Sequence, residues 1–204
     1  MDGSSADVEH VMRPKRADAR RNELSLVEAA TAVFVAAGVD APIRDIAAKA
    51  GIGTATIYRH FPTRADLIVA VYRHQVEDLA ATGPQLLSDS ATPFAGLERW
   101  LELFVDFVIT KQGLAAVLQS DDPCFDPLHD YFLARLVPVF ANMLEAATKV
   151  GQVRPDLDAY EILRGVGSIC AGTGPHRRYN ARRLVEFLVA GLRQPTPPPL
   201  GGHG

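Results

Sequence analysis

Apolar residues recur every three or four positions along most of this chain, and no stretch alternates convincingly with the two-residue period of a strand. The first run sets Leu26, Val27, Ala30, Val33 and Phe34 on one side of a helix predicted over Asp18 to Ala37, with Gly38 as its stop. Pro42 suits the opening turn of a short second helix, Ile43 to Ala50, which Gly51 ends. A third short helix is expected from about Thr54 to His60. Phe61-Pro62-Thr63 then breaks the chain, and Thr63 is placed to cap a longer fourth helix that starts near Arg64 and continues past Val76. Five more helices are predicted, over Pro93–Gln112, Gly113–Ser120, Pro127–Lys149, Asp156–Ala171 and Ala181–Arg193, with a kink at Pro138. Nine helices and no sheet make an all-α protein.

The periodicity fails at both ends. Residues 1–17 show no apolar period and residues 194–204 (QPTPPPLGGHG) are rich in Pro and Gly, so both are expected as disordered tails. Charge divides the middle. From Arg13 to His74 there are ten Lys and Arg against six Asp and Glu, and from Gln75 onward eleven against fifteen. A modestly cationic front end, 18–76 with the fourth helix running on as a linker, is carried on an acidic body, 77–193.

Composition excludes more than it identifies. At 204 residues, 48% hydrophobic and 22% charged, the chain is ordinary for a soluble globular protein. Its longest near-apolar run, Ala29 to Val39, falls short of the roughly 18 residues of a membrane span, so no membrane partner is expected. The opening MDGSSADVEHVMRPKR is acidic before it turns basic, unlike a secretory signal. Two cysteines, Cys124 and Cys170, cannot build a disulfide framework and suit a reducing cytoplasm.

The informative stretch is IRDIAAKAGIGTATIYRHF, Ile43 to Phe61. Two short helices joined at Gly51 have the form of a helix-turn-helix, with Ala47 small enough for a close crossing and Ile52 and Ile57 as plugs into the core. The second helix offers Thr54, Ala55, Thr56, Tyr58, Arg59 and His60, which are small, hydroxylic, aromatic or basic and never acidic. Such a helix can enter a DNA major groove. The bare pattern equally fits a helical hairpin in a core.

Together AATAVFVAAG and IRDIAAKAGIGTATIYRHFPTRADLI resemble the DNA-binding region of the tetracycline-repressor (TetR) family of transcriptional regulators. The match rests on Phe34 and Gly38, Ile46-Ala47, Ala50-Gly51-Ile52, Thr56-Ile57-Tyr58, His60-Phe61, Arg64 and Leu67, in register over about 50 residues and four helices. The resemblance implies backbone contacts from Thr56, Tyr58 and His60, a phosphate grip by Arg64, a base contact within reach of Arg44, and sequence reading by Thr54 and Ala55. Gly53 stands where Ser often caps the recognition helix, at a cost of about a few tenths of a kcal/mol. Pro42 and Ile43 stand where Thr or Ser often bind phosphate, which removes that contact.

The body carries no catalytic constellation: no Gly-rich phosphate loop, no GxSxG and no HExxH. Asp121 to Asp130 gathers four Asp with Cys124 and His129, but Pro123 and Pro127 and the lack of ligand spacing favour a solvated loop over a metal site. No cofactor is expected. In FAGLERWLELFVDFVI the apolar side chains span about 200°, more than one core contact needs. The excess fits a buried central helix or one wall of a ligand cavity, with Trp100, Phe104 and Phe107 facing Phe132 and Val139. Arg135 lies on the shoulder of that second stripe. It either holds an anionic group of a small apolar effector or reaches solvent and pairs with a surface acid.

Ile162 and Val166, then Leu184, Phe187, Leu188 and Gly191, form apolar stripes among glycines near the end of the chain, suited to a homodimer contact or to packing within one chain. The expectation is a homodimeric repressor on a palindromic operator of double-stranded DNA, released by an as yet unidentified small molecule. Its rivals are an all-helical enzyme or carrier whose front end is only scaffold, and a DNA-binding protein without a ligand.

Overall fold

Gly51 shows how local chemistry sets the first turn. It adopts φ 68°, a left-handed conformation that a side chain disfavours, and ends its helix there. The next amide, that of Ile52, returns to the Ala47 carbonyl at 3.0 Å. The computed structural model describes residues 6–118, 126–171 and 179–193, and among them there are eight helices and no strand. These are α1 (Ala6–Ala37), α2 (Ile43–Ala50), α3 (Thr54–His60), α4 (Arg64–Asp89), α5 (Pro93–Leu118), α6 (Asp126–Lys149), α7 (Ala159–Ala171) and α8 (Ala181–Leu192).

Three boundaries differ from expectation. α1 begins at Ala6 instead of Asp18 and runs through Pro14. The predicted break at Gly113 is absent and α5 continues through it to Leu118, which leaves eight helices where nine are predicted. One glycine costs a helix about 1 kcal/mol, and the surrounding Leu, Ala and Val carry it across. α7 starts three residues late, since Asp158 caps it by accepting the Glu161 amide at 2.9 Å. The expected cap at Thr63 forms: its hydroxyl accepts the Asp66 amide at 3.1 Å, and the Asp66 carboxylate accepts the Thr63 amide at 2.9 Å. Pro138 lies within a continuous α6. The tail 194–204, Cys124 and the Asp121–Asp122 pair lie outside the described residues.

The chain divides between His74 and Gln75 into two compact units, and α4 contributes to each. In the first, Leu26, Ala30, Phe34, Ile46, Ile57, Leu67 and Val71 form the buried core. Ile57 is fully buried, as a plug should be, and Ile52 only half so. In the second, the centre is a run of rings. Trp100 stacks on Phe104 and Phe140 with centroids 5.7 and 5.5 Å away, and Phe132 continues the run to Phe107. The Trp100 indole donates to the Leu79 carbonyl at 2.9 Å, so its one polar atom is satisfied. α4 reaches this stack through Gly83, where an added Cβ would collide with Val139 and come within 3.5 Å of Trp100.

Candidate nucleic-acid interface

α3 is anchored by one residue and open elsewhere. Ile57 alone is buried, and Thr54, Ala55, Tyr58 and Arg59 are exposed, Tyr58 to 50%. Thr56 and His60 are half-buried on the flank nearest α1. The helix starts at Gly53, whose extended backbone supplies no side-chain cap. Arg59 makes no ion pair among the described residues, and no acid lies on the helix. Arg44, on α2, is 83% exposed at its side chain and touches its neighbour Asp45 at 3.5 Å.

Beside α3 a cleft of about 210 Å³ opens between α1 and the turn after α2. Thr56, Arg59 and His60 form one wall, and Asn22 and Ser25 of α1 the other, with no carboxylate in the lining. Asn22 and Ser25 escape the sequence reading. The available signal was a pair of small polar residues three apart, Ser25 standing directly before the apolar stripe that begins at Leu26.

Arg64 has a task that the sequence does not announce. Its Nη2 donates to the carbonyls of Val39 and, at 2.7 Å, Ala41, while the guanidinium lies 5.8 Å from the centre of the Phe34 ring. The segment joining α1 to α2 has few backbone partners of its own, and Arg64 satisfies two of its carbonyls. A phosphate contact would come in addition to this structural duty.

The second unit separates residues that the sequence reading groups. Trp100, Phe104, Phe107 and Phe132 do meet, ring against ring, and Val139 joins them at Gly83. Arg135 does not. It is exposed and grips Glu77 with two hydrogen bonds, 2.7 Å from Nε and 2.5 Å from Nη2. Tyr131 donates to the same carboxylate. The Arg135 and Tyr131 hydrogen bonds hold the Glu77 carboxyl below the usual range, and Glu77 in turn raises Arg135. Cys170 is buried, and that burial pushes its thiol up from the usual range. Among the described residues no group of three or more His, Cys, Asp or Glu converges as metal ligands would.

Of the residues expected at a dimer contact, Ile162 and Val166 are buried within their own chain, where α7 packs on α5 and α6. α8 is two-faced instead. Ala181, Val185, Val189 and Leu192 turn inward, while Leu184 is 41% and Phe187 61% exposed. Leu188 is half-buried and Gly191 exposed, with open space where its Cβ would be.

Two family models match this arrangement. Residues 26–71 match "Bacterial regulatory proteins, tetR family", and residues 92–194 match the C-terminal domain of SbtR-like transcriptional regulators. The chain belongs to the TetR family. Its relatives are transcriptional regulators, which sets aside the helical-enzyme reading.

This TetR-family regulator is similar in structure to the TetR regulator SCO0520 of Streptomyces coelicolor, with 30% identity, a TM-score of 0.69, and 84% of this chain and 98% of that one covered. A TetR protein of Mycobacterium vanbaalenii gives 30% identity and 0.67 over 89% and 100%. Among curated relatives, the repressor KstR2 of Rhodococcus jostii is 26% identical over 86% of this chain and 92% of its own. The activator FasR of Mycolicibacterium smegmatis is 32% identical over 51% of this chain, and the match spans about half of FasR, 48%. Among the described residues no helix is long and apolar enough to cross a membrane.

Proposed function

We propose that this TetR-family regulator is a cytoplasmic repressor that binds a palindromic operator as a homodimer and leaves it when a small apolar molecule occupies the second unit. The observation that carries the dimer is Phe187. A ring 61% exposed beside the 41% exposed Leu184, on the face of α8 away from its own core and with the Arg183 guanidinium 5.6 Å from its centre, offers apolar surface that a partner chain can cover. A second α8 related by a two-fold axis does so and repeats α3 for the second half-site. Ile162 and Val166 support that interface from beneath, and Leu184, Phe187, Leu188 and Gly191 form it.

Operator reading falls to Thr54, Ala55 and Arg44, and backbone contact to Thr56, Tyr58, Arg59 and His60, joined by Asn22 and Ser25 across the cleft. Repression is favoured over activation because the likeness to KstR2 runs over most of both chains and that to FasR over half. The effector site is placed at the Phe107–Phe132 end of the ring stack, where burial is less complete than at Trp100. Arg135 takes no part in it. Coupling of about 1–3 kcal/mol between effector and operator is sufficient for release. The filled stack around Trp100 favours one other reading, a regulator that needs no ligand.

Genome-wide footprinting followed by titration of the recovered site tests the reading. Sequence-specific, salt-sensitive binding by a dimer is expected at about 150 mM salt. Equal affinity for operator and random DNA would overturn it, and a ligand screen on the recovered operator separates the effector reading from its rival.

A further inference from the structure

We propose that the cleft between α1 and α3 seats one phosphodiester of duplex DNA and grips it without regard to base sequence. This seat rests on the reading of α3 as the DNA-contacting helix and gives one flank of that helix its ligand. The cleft holds about 210 Å³. Leu26, Ala50 and Ile52 form its apolar part, and every other lining side chain, from Asn22, Ser25, Thr56, Arg59 and His60, can donate a hydrogen bond. Arg59 brings a positive charge that no carboxylate in the lining answers. None of the five side chains makes a hydrogen bond or ion pair among the described residues.

Two further observations point to an anion. Helical hydroxyls elsewhere turn back on their own helix: Thr31 donates to the Val27 carbonyl at 2.8 Å, Thr82 to Asp78 at 2.7 Å and Ser168 to Arg164 at 2.9 Å. Ser25 has the Arg21 carbonyl at the same four-residue spacing and leaves it, so its hydroxyl is kept for the cleft. Charge has the same sense, because α1 runs as helix through residues 13–21, where five Lys and Arg stand against one Asp, and leads directly into the Asn22 wall. A phosphodiester meets all of this: its oxygens take the donors, and its sugar carbons cover the half-buried Ala50 and Ile52. The seat is separate from base reading. Thr56 and His60 stand about 200° around α3 from Thr54 and Tyr58, so the cleft holds the backbone while Thr54 and Ala55 stay with the bases.

The test is fluorescence anisotropy of the full chain on two labelled duplexes, the operator recovered by footprinting and a random sequence of equal length. Asn22→Ala combined with Ser25→Ala should weaken both duplexes about tenfold and leave the ratio between them unchanged. Arg59→Ala should lower the salt slope by about one charge. Ser25→Asp, a like charge on the wall, should weaken binding further than Ser25→Ala. Asn22, Ser25 and Arg59 are exposed, so these variants keep the fold. A methylphosphonate walked along the operator should find one position per half-site that costs the wild type about tenfold and the double variant nothing. A double variant as tight as wild type, a loss confined to the operator, or a neutralised phosphate equally costly to both proteins would each overturn the seat alone. A wild type that binds no duplex would overturn it together with the reading of α3.

Discussion

The two units deploy the same residue types in opposite ways. In the first, Tyr58, Arg59 and Lys49 stand exposed, and neither cation has an acid partner among the described residues. In the second, Arg99, Arg135, Arg182 and Arg193 are each paired with a carboxylate, and Trp100, Phe104 and Phe140 are sealed ring against ring. Paired cations and stacked rings hold a shape. Arg59, unpaired among the described residues on a helix anchored by one isoleucine, leaves binding free energy to be realised with a partner, and for a short helix free of acids that partner is polyanionic. Phe187, 61% exposed, breaks the pattern of the second unit, and the proposed dimer contact is built on it.

Breaking the exception should give the largest effect. Phe187→Arg is expected to yield monomers in sedimentation and to weaken operator binding about 100-fold or more, because the two half-sites no longer act together. A dimer that still binds DNA would move the interface elsewhere. Next in size is the reading face. Arg59→Ala should cost about 1–3 kcal/mol in operator affinity if it meets a base and relax preference at one position, or reduce the salt slope by about one charge if it meets a phosphate. Binding titrations at several salt concentrations distinguish the two.

Arg64→Ala sharpens the comparison, since Arg64, like the paired cations of the second unit, spends its donors inside the fold. Stripping two backbone carbonyls of their donor should destabilise the fold by about 1–3 kcal/mol in urea unfolding, before any DNA is added. An Arg64→Ala protein with unchanged stability and impaired DNA binding would return it to a purely phosphate role. The smallest effect belongs to Glu77 and Arg135. Both are exposed, so a double-mutant cycle should give a coupling smaller than any of the effects above. The Glu77 pKa is lowered in the folded protein, so its contribution is present above the unfolded carboxylate value near pH 4 and is lost as pH falls through the folded value. Unfolding midpoints of wild type and Glu77→Gln should converge on acidification.

The legible features were those set within one or two helical turns. Spacing of apolar residues located the core face of α1 and the Ile57 anchor of α3, and the short range of a cap made Thr63 readable. The TetR-like register of residues 26–71 was readable because a helix-turn-helix is built almost wholly from local contacts. In the second unit the same spacing found the stripes but not which way they turn. Ile162 and Phe187 carry the same signal in sequence, and one is buried while the other is bare.

By itself, then, the sequence determined the helical class, the reading helix with its Ile57 anchor and the left-handed turn at Gly51, all consequences of forces acting over a few residues. Only the tertiary structure decided where Arg64, Arg135 and α8 direct their side chains. Arg64 meets carbonyls 25 and 23 residues away, and Arg135 meets Glu77 58 residues away. No periodicity encodes such meetings. They depend on which helix faces have already been buried, and burial is a property of the packed whole.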